Sequence, residues 1–454
     1  MKRYYSRREL LQSLGIVGGI WLYQPWRSRP PIVTASPTAC PTTVVALRAG
    51  SAMVEALLTT FYYTAITTRD GFFADLPAVV QRYLRLSLDA EWAHYRLWIE
   101  QEGESPQTHF YFPEKLFMAG AFPAFLATLD NLERVSIAFY LAAIRQSADL
   151  DDPLLAAVCG QLVAIEAEHR VMGREIAQNS PPAPNDLCYE PADFVCAAEV
   201  TRVLTGYLNG GAGFSGPVAL PAQAQVSSAV GTATCLASAP ATVVACAETK
   251  TDILATAATA EALGVTFYYH AIQGGFFAQL SAPQQWYLQA ALDEERHHLA
   301  FLLEQGATLP PSHFFFPSGV FDNLTLFLDL LDTLENAFIS AYLAAIQRFQ
   351  ALGEPLLAEI AGQILGVEAE HRVLGRVLQG EPLPHNRCLA QAAYSCVGEA
   401  NVALTAFISG SAKFTTEKAQ PTTTAIESAV DRFGCTPVPL AALAPNLYLP
   451  LVIQ

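Results

Sequence analysis

Glu166-Ala167-Glu168-His169-Arg170-Val171 recurs as Glu368-Ala369-Glu370-His371-Arg372-Val373, and this repeated stretch decides how the rest of the chain is read. Glu166 and His169 stand three positions apart, as do Glu368 and His371. On an α-helix that spacing turns through about 60° and climbs about 4.5 Å, so a carboxylate and an imidazole face one cleft. Apolar residues flank both copies at helical spacing, over about 151–178 and 353–379, which places each motif on a long helix.

The repetition continues toward the N-terminus. Thr60-Phe61-Tyr62-Tyr63 recurs as Thr266-Phe267-Tyr268-Tyr269, His109-Phe110-Tyr111-Phe112-Pro113 as His313-Phe314-Phe315-Phe316-Pro317, and Tyr140-Leu141-Ala142-Ala143-Ile144 as Tyr342-Leu343-Ala344-Ala345-Ile346. The offset drifts from 206 through 204 and 202 to 200, as small loop deletions between the elements of a twice-written unit would make it. In the first unit helical periodicity predicts helices over about 42–67, 77–102, 118–147 and 151–178, with a shorter fifth over about 189–209. The second unit repeats them near 248–273, 282–305, 320–350, 353–379 and 389–409. Pro77 marks a helix start, Gly103 an end, and Pro181, Pro182 and Pro184 close the fourth helix.

Helices of this length point to an all-α chain of two tandem four-helix bundles, each with a short fifth helix. The expected division is a signal segment at 1–39, a first bundle at 40–209, a linker or ordered wrap at 210–245, a second bundle at 246–409 and a tail at 410–454. The connection over 103–117 is long and aromatic, compatible with a bundle that has one extended crossover.

Each unit carries the same six candidate metal donors. The first has Glu55 on helix one, Glu91 with His94 on helix two, Glu133 on helix three and Glu166 with His169 on helix four. The second has Glu261, Glu295 with His298, Glu335, and Glu368 with His371. One Glu from each of two helices and Glu-x-x-His from each of the other two is the donor set of di-iron and di-manganese carboxylate bundles. Carboxylates are hard ligands that bridge two cations, and imidazole favours iron, manganese or zinc over calcium or magnesium. Without a cation, four buried carboxylates could not all ionise. Two divalent metals per unit are therefore expected, iron ahead of manganese. One Glu-x-x-His alone is an ordinary solvated helix face; six donors in order, one set per helix, twice over, are not.

On these residues the chain resembles the ferritin-like superfamily, and more closely the exported bacterial ferritin-like proteins related to plant desiccation-associated proteins, over about 42–210 and 248–410. The resemblance implies that the lone Glu55 and Glu133, like Glu261 and Glu335, are terminal and bridging carboxylates, and leaves open which Glu bridges. It also implies redox chemistry with dioxygen or peroxide: peroxidase, catalase-like, ferroxidase or substrate oxidation. The alternative is a non-enzymatic extracytoplasmic stress or desiccation-protection protein, or one that sequesters iron. The sequence does not indicate an oligomeric state.

Other residues are read more plainly. Tyr62, Tyr140, Tyr268 and Tyr342 each follow a lone Glu by seven positions and are read as core tyrosines before ligand partners. Glu168 and Glu370 are expected to pair with a nearby Arg, with Asp89 and Asp293 similar candidates, and His109 and His313 to be structural. His270 and His297, unmatched in the first unit, are read as second-site modifiers or surface residues.

Composition bounds the remaining classes. The chain has 454 residues, 52% hydrophobic and 15% charged, with a net charge of -16, which argues against a nucleic-acid partner. It has no Gly-rich phosphate loop and no Gly-x-Ser-x-Gly elbow. Lys2 and Arg3, then Ser6-Arg7-Arg8-Glu9-Leu10-Leu11 and a short apolar stretch over 14–23, resemble a twin-arginine export signal. A periplasmic or extracellular location is therefore expected, with no permanent membrane span. Eight of the nine cysteines match between halves: Cys40 with Cys246, Cys188 with Cys388, Cys196 with Cys396 and Cys235 with Cys435. Up to two disulfides per half are expected, with Cys159 left over.

Overall fold

The computed structural model describes residue 40 and residues 42–101, 103–177, 184–237, 239–430 and 434–437. The stretch read as an export signal and most of the apolar C-terminal tail lie outside these residues. The first bundle consists of α1 (Val44–Thr67), α2 (Ala78–Glu100), α3 (Phe122–Ser147) and α4 (Pro153–Ala177), then the short α5 (Val200–Val203), α6 (Thr205–Asn209) and α7 (Gln223–Val230). The second consists of α8 (Lys250–Ile272), α9 (Ala282–Glu304), α10 (Leu324–Ala351) and α11 (Pro355–Gln379), then α12 (Val397–Ser409) and α13 (Thr423–Val430).

Local chemistry sets the ends. Thr43 caps α1 by accepting the Ala46 N–H. Thr249 and Asp252 form a reciprocal capping box on α8. Pro77 immediately precedes α2, and Gly380, at φ 84°, ends α11 in the left-handed conformation that a Cβ disfavours. α1 is long and apolar enough to cross a membrane, but it is mostly buried in the bundle and carries Glu55.

The chain departs from the sequence expectation after the fourth helices. Residues 189–196 and 389–396 are not helical; the fifth helix begins only at Val200 in the first half, where it is broken, and at Val397 in the second. The aromatic crossover contains a strand: β1 (His109–Pro113) pairs antiparallel with β2 (Phe214–Ala219), and β3 (His313–Pro317) with β4 (Phe414–Ala419). The 210–245 stretch is thus an ordered wrap, whose strand covers the crossover and whose helix packs on α2.

The bundles meet through α3 and α4 of the first and α10 and α11 of the second. Gly160 and Gly362 permit this approach. A Cβ on Gly160 would lie 2.9 Å from Ile346, and one on Gly362 2.9 Å from Leu141. Arg170 reaches Glu370 at 2.8 Å and Glu190 at 3.1 Å, while Arg372 reaches Glu168 at 2.9 Å. The Glu–Arg pairing expected from sequence therefore forms, but between halves. These pairs are almost fully buried, where desolvation offsets much of their attraction.

The disulfide arrangement also differs from two per half. Cys40–Cys196 and Cys246–Cys396 close within a half, but Cys188–Cys435 and Cys235–Cys388 cross between halves. Cys159 is free and buried. Four disulfides fit an oxidising compartment.

Candidate metal centres

All twelve sequence-predicted donors converge, six in each bundle, and each is 0–1% exposed. In the first bundle Glu55, Glu91, His94 and Glu166 offer donor atoms within 4.8 Å of one another, as do Glu91, Glu133, Glu166 and His169. Glu91 and Glu166 belong to both groups; Glu55 and Glu133 belong to one each. Four helices, each carrying its donors on its inward face, produce this cluster.

His94 Nδ1 lies 3.3 Å from Glu55, 3.6 Å from Glu91 and 3.2 Å from Glu166. His169 Nδ1 lies 2.7 Å from Glu91 and 3.4 Å from Glu166. In the second bundle His298 Nδ1 is 3.2 Å from Glu261 and 3.4 Å from Glu368, and His371 Nδ1 is 3.4 Å from both Glu295 and Glu368. Close as they are, most of these atoms do not align as hydrogen bonds: both oxygens of Glu91, Glu166, Glu295 and Glu368 are buried without a hydrogen-bond partner, as is Nδ1 of His94, His169 and His371. Desolvated, converging and unpaired donors fit a bound cation better than a set of hydrogen bonds.

Electrostatics point the same way. Burial, then the charge of Glu166, raises the Glu55 carboxyl above its ordinary range, and burial with neighbouring carboxylates pushes Glu91 and Glu133 well above it. Burial also works against ionised Glu166 and Glu368, but the two histidines beside each outweigh it and hold both at about 2. Burial and mutual repulsion thus oppose ionisation of these carboxylates together, a cost that divalent cations would relieve.

The four tyrosines are partners of the lone carboxylates, which the seven-residue spacing did not reveal because the bonds cross between helices. Tyr62 donates to Glu133 at 2.5 Å and Tyr268 to Glu335 at 2.5 Å, while Tyr140 donates to Glu55 and Tyr342 to Glu261. Asp89 and Asp293 accept the backbone N–H groups of Cys235 and Cys435 at 2.8 and 3.0 Å. His109 and His313 sit exposed on their strands, His270 bonds the Ala419 carbonyl, and His297 pairs with Arg296, so none of the four joins a cluster.

Several residues around the clusters carry no motif. Tyr83 and Tyr287 donate to the backbone carbonyls of His169 and His371 at 2.8 and 2.9 Å. His94 Nε2 meets the Cys388 carbonyl at 2.5 Å, and His298 Nε2 the Cys188 carbonyl at 2.8 Å. Glu294 meets His371 Nε2 at 2.7 Å; burial lifts its carboxyl to about 7. Glu294 could have been noticed by setting the halves against each other, because its counterpart is Ala90.

Residues 249–381 match the family model of a ferritin-like domain. The match spans the four long helices of the second bundle and supports the ferritin-like superfamily. No curated protein and no solved structure matches the chain.

Proposed function

We propose that each bundle holds two divalent cations, iron ahead of manganese, and that the protein uses them in redox chemistry with dioxygen or peroxide. The observation that carries this reading is the convergence of six buried donors whose polar atoms lack hydrogen-bond partners. Glu91 and Glu166 would be shared between the two cations of the first centre, with Glu55 and His94 on one and Glu133 and His169 on the other. The same arrangement would place Glu295 and Glu368 between the cations of the second, Glu261 and His298 on one, Glu335 and His371 on the other.

Such a metal pair, when bound, supplies a redox centre able to bind and reduce a small oxidant. The chain's own residues prepare the place. Tyr140 and Tyr342 hold one oxygen of Glu55 and Glu261 and leave the other facing His94 and His298, while Tyr62 and Tyr268 hold an oxygen of Glu133 and Glu335. Tyr83 and Tyr287 tie the helices bearing the Glu-x-x-His motifs across the bundle. The aromatic cluster of Phe61, Phe112, Phe117 and Phe125 excludes water from one end of the first bundle.

A second reading, a non-enzymatic stress-protection or iron-sequestering protein, is favoured by the depth of the donors. None of them lines either of two surface cavities of about 440 and 500 Å³. Peroxide and dioxygen consumption by iron-loaded and metal-stripped protein separates the two. Metal-dependent turnover supports the redox reading; absence of turnover in fully loaded protein contradicts it.

A further inference from the structure

Each cluster is completed by the other half of the chain. After α4, the segment 184–190 leaves the first bundle and lies on α9 of the second: Asn185 bonds the Tyr287 carbonyl and Glu294, Tyr189 bonds the His297 carbonyl, and the Cys188 carbonyl accepts from His298. After α11, the segment 384–390 lies on the first bundle in the same manner: His385 bonds the Tyr83 carbonyl, the Ala390 carbonyl accepts from Gln161, and the Cys388 carbonyl accepts from His94.

The crossed disulfides fasten these arms. Cys388 is bonded to Cys235, whose N–H is anchored on Asp89, two residues before Glu91. Cys188 is bonded to Cys435, whose N–H is anchored on Asp293, two residues before Glu295. Short backbone pairings reinforce both joints: Leu236 N–H to Asn386 at 2.7 Å and Cys388 N–H to Leu236 at 3.1 Å on one side, Thr436 N–H to Asp186 at 2.7 Å and Cys188 N–H to Thr436 at 3.1 Å on the other. Each staple thus grips a ligand-bearing helix at two places five residues apart, through the Asp and through the His.

A carbonyl on Nε2 has a specific consequence. It requires Nε2 to carry a hydrogen, so the neutral ring turns its Nδ1 lone pair to the carboxylates, the form a metal needs. It also fixes the ring's rotation. We infer that Cys235–Cys388 and Cys188–Cys435 are positioning elements for the metal centres, the first holding His94 and the second holding His298, each through the carbonyl of a cysteine contributed by the opposite half. This inference rests on the metal-binding reading above.

The test uses full-length protein and cobalt(II) as the probe, with affinity measured by chelator competition. Glu368→Ala disables the second centre so that the first is read alone; Glu166→Ala does the reverse. Adding Cys235→Ala/Cys388→Ala to each background should weaken cobalt binding at the first centre by about tenfold or more, the usual effect of losing a ligand's outer support, and leave the second within about twofold. Cys188→Ala/Cys435→Ala should do the opposite. The cobalt absorption bands of the affected centre should shift with the freed imidazole. Asp89→Ala, which keeps every disulfide but unties the staple from α2, should weaken the first centre by less and in the same selective way, and stands in if the cysteine variants do not fold. Equal weakening of both centres, or unchanged affinity at the centre whose staple is cut, overturns the inference while leaving the metal centres standing. Wild-type protein that binds no cobalt at either centre overturns both.

Discussion

In the first bundle, the nitrogen of His169 that points away from the carboxylates is buried without a hydrogen-bond partner, and His385 lies edge-on with ring centroids 5.8 Å apart. In the second, the same nitrogen of His371 meets the Glu294 carboxylate at 2.7 Å. The positions matching Glu294 and its partner Asn185 are Ala90 and His385, so both residues behind the histidine changed together between halves. The opposite side of the clusters differs as well. Trp98 Nε1 donates to Tyr140 at 3.2 Å in the first bundle, whereas Leu302 occupies that position in the second. Gly264 leaves room for Glu295, since a Cβ there would lie 2.6 Å from its oxygen; the first bundle has Leu58 at the matching position. The same six donors therefore sit in two environments. A carboxylate behind a ligand imidazole raises its basicity and fixes its orientation, so the second centre should bind divalent metal more tightly.

The largest effect that would sharpen this contrast comes from Glu294→Ala. Metal affinity of the second centre should fall about 10–100-fold and approach that of the first, read by chelator competition in the Glu166→Ala background. An unchanged affinity would mean that Glu294 does not support His371 as a ligand.

Next is the pair Tyr140→Phe and Tyr342→Phe. Each removes a hydrogen bond to a lone carboxylate, but Tyr140→Phe also orphans the fully buried Trp98 Nε1–H. The first variant should lose about 1–3 kcal/mol of stability and the second less, seen as unequal shifts in denaturant midpoint. Equal shifts would remove Trp98 from the comparison.

The smallest contrast lies away from the clusters. Glu359 on α11 is buried, with neither oxygen hydrogen-bonded, and Arg145 approaches only to 3.6 Å; its counterpart is Ala157. Burial raises this carboxyl to about 8 against Arg145, which lowers it. A group raised on folding stabilises the fold below its ordinary value of 4.5, and that contribution is lost as pH rises through about 8. Glu359→Gln should therefore melt roughly 2–4 °C above wild type near pH 9 and close to it near pH 4.5. A constant difference across that range would contradict the assignment.

The comparison also explains which features could be read before the fold was known. Periodicity and the Glu-x-x-His spacing located the long helices and all twelve converging donors, because both are local properties of a helix face. The tyrosine–carboxylate bonds, the Arg–Glu pairs and the crossed disulfides were misplaced or unassigned because each joins residues on different helices or in different halves. Four matched cysteines per half cannot tell pairing within a half from pairing across a pseudo-symmetric joint. Backbone carbonyls such as those of Cys188 and Cys388 have no sequence signature at all. Glu294 stood beside a recognised ligand but off its three-residue pattern.

The most direct test of the two-centre assignment is elemental analysis of protein isolated from an exporting host, comparing wild type with Glu166→Ala, Glu368→Ala and the double variant. About four iron or manganese atoms per chain are expected in wild type, about two in each single variant and almost none in the double, following the two-metal stoichiometry of such donor sets. Well-folded wild type with little bound metal, or a double variant that keeps its metal, would contradict it.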